Sequence, residues 1–148
     1  MRLFVNILAI SGSAMFAGVL LAIGILLGGY WKSLSSEEFL NSFAAFESYI
    51  PTAIAAVTLP TLFGLAGSVW QSWGHKDARV LWLSAAGCII VLLIFTLVWF
   101  APTNAQFSAR SLPIHQVAPK LDLWLNLHVI RVTLAAFASV LGIIATSR

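Results

Sequence analysis

The sequence predicts an all-α protein, a four-transmembrane-helix bundle with a short amphipathic helix in the first outer loop. Three observations predict it. Of the 148 residues, 60% are hydrophobic and only 9% charged, against about 45–50% and about 25% in soluble domains. Four apolar stretches each reach the roughly 20 residues that a helix needs to cross a bilayer. Charged residues gather between those stretches, where the loops fall. The charge is too sparse to cover a water-facing surface, so the apolar side chains face lipid. Four packed helices use nearly the whole chain, which makes residues 1–148 one domain.

The first span covers about residues 3–30. Its apolar run is longer than the 7–15 residues or so of a signal-peptide core, and no clear small-residue cleavage site follows it, so it reads as a retained helix. The second span covers about 50–73, the third about 80–100 and the fourth about 123–146. Between the second and third lies a tight basic turn, Gly74-His75-Lys76-Asp77-Ala78-Arg79. Together with Arg2 and Arg148 it puts four Lys/Arg on one side, against Lys32, Arg110 and Lys120 on the other. Short basic loops stay inside. The expectation is a multi-pass protein of an inner or plasma membrane with both termini cytoplasmic. Trp31, Trp99 and Trp124 are then expected at the outer interface, and Trp70, Trp73 and Trp82 at the inner one.

The first outer loop carries Ser35 three residues before Glu38, a capping-box pattern. Phe39, Phe43, Phe46 and Ile50 follow at helical spacing. They predict a short helix over the outer mouth of the bundle, running into the second span at Pro51. The second outer loop, about 102–122, holds Pro102, Pro113 and Pro119 and reads as irregular chain draped over the same mouth. Helices in lipid associate through close backbone contact. Ala14, Gly18 and Ala22, then Gly24 and Gly28, offer such stripes on span one. Ala53, Ala56, Pro60, Gly64 and Gly67 offer one on span two. Pro60 removes a backbone hydrogen bond, and Thr58 or Thr61 is placed to satisfy the freed carbonyl.

Net charge is +3, but the basic residues are few and scattered, so no nucleic-acid groove forms. The single cysteine, Cys88, excludes an internal disulfide and a CxxC metal site. His115 and His128 share no metal-ligand spacing, and no phosphate loop or nucleophile elbow is present. The reading assigns no metal and no cofactor.

The fourth span is the informative one. Trp124, His128 and Arg131 are spaced i, i+4, i+7 and share one helix face. An arginine facing lipid costs at least about 2.5 kcal/mol, and an intramembrane charge is a functional hypothesis by default. The face is therefore expected to look inward. The bland alternative is that Arg131 snorkels to the interface. No span holds a carboxylate, so the partner of Arg131 is a loop carboxylate (Glu38, Glu47 or Asp122), a backbone carbonyl or an anionic ligand. Asn104, just past the expected end of span three, is within reach of the group.

Phe16-Ala17-Gly18-Val19-Leu20-Leu21-Ala22, Glu38-Phe39, Pro102-Thr103-Asn104, and Trp124 through His128 to Arg131-Val132-Thr133-Leu134 resemble the small four-helix membrane proteins grouped with anthrone oxygenases, known largely as a domain of unknown function. The Pro-x-Asn and Trp-x3-His-x2-Arg pieces are its specific part. The resemblance implies oxidation of anthrone-like or quinol-like aromatics by dioxygen without a recognised metal or flavin. It gives His128 the role of general base and Arg131 that of oxyanion stabiliser. Asn104 donates to the substrate carbonyl and Trp124 walls a planar ring. Two other classes stay open: a non-catalytic subunit or assembly factor of a larger membrane complex, and a carrier or channel. The expected partners are the lipid bilayer, a small aromatic or quinone-like ligand, and that larger complex.

Overall fold

A computed structural model describes residues 2–46 and 49–148. These residues form helices α1 (Arg2–Lys32), α2 (Ser36–Phe46), α3 (Tyr49–Gln71), α4 (Lys76–Ser108) and α5 (Ile114–Thr146). The four long ones are apolar enough to cross a membrane, and α2 is the short amphipathic helix. The protein is thus an all-α, multi-pass bundle. Ser68 Oγ donates to Asn6 Oδ1 at 2.9 Å, and Arg2, Asn6, Trp82 and Arg148 surround one cavity. Both chain ends and the basic 74–79 turn therefore share one end of the bundle.

In the bundle α1 packs on α3 and α5, and α5 on α4, while α3 and α4 touch least of the adjacent pairs. The close pair is α1–α3. It depends on glycines: a Cβ at Gly64 would run into the Leu8–Ala9 backbone, and one at Gly12 would lie 3.0 Å from Thr61 Cα. The Gly24–Gly28 pair serves α5 instead, against His128 and Leu125. Gly67 packs on Val5 of α1, while the other small residues of the expected stripes do not pack. Ala14, Gly18, Ala22, Ala53, Ala56 and Pro60 are exposed, because large residues of the same helices (Phe16, Leu20, Val57, Leu65) face inward. Neither threonine turns to the carbonyl that Pro60 frees. Thr58 bonds the Ile54 carbonyl and Thr61 that of Val57, each one turn back on its own helix.

Two π turns, Ile23–Leu27 in α1 and Thr96–Phe100 in α4, widen the ladder to i→i−5 pairing: Gly28 N–H reaches Ile23 O and Ala101 N–H reaches Thr96 O. The second explains a correction. The expected irregular loop 102–122 is mostly helix, since α4 runs to Ser108 and α5 starts at Ile114. Pro102 follows directly on the π turn, whose register shift takes a ring that lacks an N–H. Pro119 lies in the second turn of α5, where the carbonyl it leaves, that of exposed His115, meets water. The tryptophans expected near the interfaces differ in exposure, with Trp99 half-buried. Trp70 and Trp73 are exposed, but Trp31, Trp82 and Trp124 are buried between helices, where their rings fill the bundle.

α2 lies across the end of the bundle opposite the basic turn, touching α1, α4 and α5. Phe39 and Phe43 pack edge-on against Phe107, at 5.0 and 5.3 Å between centroids, and Trp31 packs beneath them. The capping box is formed. Glu38 accepts from Ser35 N–H at 2.9 Å and from its hydroxyl at 2.7 Å. These bonds hold the Glu38 carboxyl below its ordinary value. A depressed carboxylate stabilises above the unfolded-state pKa, and that stability fades as pH falls through the folded-state value. Ser35→Ala is expected to weaken α2 by about 0.5–2 kcal/mol, and acid to loosen wild-type α2 more than the variant's. Hydrogen exchange over residues 36–46 measures both; equal protection in the two proteins would contradict it.

Candidate functional site

The face Trp124–His128–Arg131 of α5 turns into the bundle, with the three residues 3%, 2% and 5% exposed. Arg131 therefore does not snorkel. His128 lies against α1 where Gly24 leaves room for it; a Cβ there would sit 3.1 Å from the ring. Its Nε2 is 2.8 Å from the Leu20 carbonyl. A carbonyl only accepts, so Nε2 carries the proton and the lone pair is on Nδ1. That lone pair faces Arg131 Nη1 at 3.3 Å, a bond at the long end of the range. The Trp124 ring stacks on the imidazole at 4.7 Å and 11°.

The guanidinium lies 4.2 Å above the Phe100 ring, the last residue of the second π turn. Its Nε is buried with no partner. Among the described residues no carboxylate reaches it. Glu38 is taken by Ser35, Asp122 pairs with Lys32 at 2.8 Å, and Glu47 lies outside the described residues. A desolvated cation–π contact contributes about 2 kcal/mol and a bond to a neutral nitrogen about 1, so these contacts compensate the charge without neutralising it.

Asn104 joins the group from within α4, a turn beyond the expected end of the span. Its Oδ1 accepts from Trp124 Nε1 at 2.8 Å. This bond turns the amide so that its Nδ2 donors look away from Trp124. All four side chains line a cavity of about 480 Å³ between α3, α4 and α5. A second chamber of about 240 Å³ continues it under α2, sharing Ile50, Pro51, Ala101, Asn104 and Trp124. Ser108 Oγ, buried and unpartnered, lines that chamber.

Phe100, Gly24 and the Leu20 carbonyl were not legible as site groups. Phe100 reads as the end of a span, Gly24 as packing, and a carbonyl carries no sequence signal. Among the described residues no three His, Cys, Asp or Glu gather as a metal would require. The arrangement offers a fixed cation and an amide donor around an apolar, aromatic-walled space. Comparison with protein-family models, with curated proteins and with solved structures finds no match.

Proposed function

We propose that the protein is a cofactor-free membrane oxygenase of anthrone-like or quinol-like aromatic substrates. One observation carries the reading: a guanidinium that no carboxylate among the described residues reaches lines an apolar cavity beside an imidazole and a tryptophan face. A substrate oxygen set on Arg131 gains a charge-assisted bond that strengthens as the oxygen becomes an enolate. Drawing a guanidinium N–H to that oxygen releases His128 Nδ1, whose long bond costs little to break, and Nδ1 takes a proton from the activated methylene. The carbanion gives its electrons to dioxygen and bonds it as a hydroperoxide, with His128 returning the proton. Loss of water from that carbon leaves the second ketone. One dioxygen is consumed, and one of its oxygen atoms leaves as water. In this reading Asn104 Nδ2 donates to the substrate carbonyl beside Arg131, and Trp124 walls the planar ring.

The test is oxygen uptake by the purified protein in liposomes supplied with anthrone. The expected result is one dioxygen consumed per anthraquinone formed, above the spontaneous rate. Uptake at the spontaneous rate overturns the reading. The alternative, a small non-catalytic subunit of a larger membrane complex, is favoured by the exposed Ala14–Gly18–Ala22 stripe, a surface suited to another helix. Obligate co-purification with larger subunits would support it. We also propose that the basic-turn end faces the cytoplasm, with α2 outside. Single cysteines at positions 75 and 115, in a chain with Cys88 replaced, should react with an impermeant reagent from outside only at 115. Labelling at 75 alone reverses the orientation.

A further inference from the structure

We infer that the ligand of this cavity is a bilayer-dissolved, neutral aromatic compound that arrives sideways between α3 and α4, through a mouth bordered by Ala55, Leu59, Leu97 and Ala101. The inference rests on the reading of the cavity as a ligand site and adds its substrate class and route. Leu59 and Leu97 line the cavity and yet are 69% and 71% exposed; Ala55 and Ala101 line it and are exposed as well. A residue that faces both a cavity and the outside marks an opening. These residues belong to membrane-spanning helices, so the outside there is lipid.

The helix pair agrees: α3 and α4 touch least of the neighbours in the bundle. Towards α2 an aromatic roof lies over the second chamber. Phe39, Phe43 and Phe107 are 1%, 4% and 0% exposed and interlock edge-on above the second chamber. A ligand coming through this roof would have to part that cluster, whereas one coming between α3 and α4 meets aliphatic side chains and alanines. A permanently charged molecule would lose its hydration in the bilayer before meeting Arg131. The fitting class is therefore an uncharged, planar, lipid-soluble ketone or phenol that ionises, or is polarised, only when it reaches the guanidinium.

The test uses 9,10-anthraquinone in liposomes, with binding followed by quenching of Trp124 emission, isolated by difference against Trp124→Phe. In Ala55→Phe and, independently, Ala101→Phe, association and dissociation are both expected to slow at least ten-fold. Ala109→Phe, at the roofed end and away from the cavity, should bind at the wild-type rate. Wild-type rates in both mouth variants, or slowing only in Ala109→Phe, would overturn the lateral route while leaving the ligand site in place. A wild-type protein that binds no anthraquinone would overturn both.

Discussion

Arg131→Met is expected to abolish anthrone oxidation and weaken anthraquinone binding while leaving the protein folded. Among the described residues the guanidinium is the only charge lining the cavity, and removing a preorganised donor from a dry site costs about 10²–10³ in rate. The side chain is 5% exposed and its Nε unpartnered. An arginine with no paired charge carries its desolvation cost uncompensated, and an apolar side chain of similar length removes that cost. Methionine also keeps contact with Phe100. Thermal stability in detergent should therefore hold or rise as activity falls, a split that a merely structural arginine would not give. Arg131→Lys should rescue poorly, because an ammonium lacks the planar fork that spans His128 and a ligand oxygen. Activity that falls only in step with the folded fraction would make Arg131 a structural anchor.

Gly64→Ala should be the most damaging single methyl in the chain. The added Cβ would lie 2.7 Å from Leu8 C and 2.8 Å from Ala9 Cα, and backbone cannot rotate away as a side chain can. α1 and α3 would have to separate along their tightest contact. Overpacking of this kind costs about 1–3 kcal/mol and at times more. Gly18→Ala is the matched control, since its Cβ meets nothing within 4 Å and alanine favours helix by about 1 kcal/mol. Melting in detergent should place Gly64→Ala well below the wild type and Gly18→Ala at or above it. Equal melting of the two variants would contradict the packing described.

The four spans and α2 were legible because composition, length and capping chemistry are local properties. Ser35 and Glu38 meet as their spacing requires, and Phe39 and Phe43 are buried as their period requires. The inward face of α5 was legible for a similar reason, since an arginine at that depth has few places to go. What escaped depends on neighbours. Nothing local separates Gly18, which faces outward, from Gly64, which touches a backbone. The prolines misled over residues 102–122 because Pro102 sits just past a π turn and Pro119 frees only an exposed first-turn carbonyl. The π turns have no signature of their own, yet the first holds Gly24 against His128 and the second ends on Phe100, which lies under Arg131. The separation of α3 from α4 is a property of the whole bundle and appears in no single helix.

The central claim is that a ligand oxygen meets the Arg131 guanidinium inside the bilayer. Solid-state NMR of the protein in liposomes, with ¹⁵N-labelled arginine and 9,10-anthraquinone ¹³C-labelled at its carbonyls, measures that contact directly. A charge-assisted bond of about 2.7–2.9 Å to a carbonyl of about 1.23 Å puts the labelled carbon within roughly 4 Å of a guanidinium nitrogen. The expected result is a dipolar contact at that distance which vanishes in Arg131→Met and persists when the other arginines are replaced. A contact that survives in Arg131→Met, or bound anthraquinone with no contact to any arginine, would contradict the account.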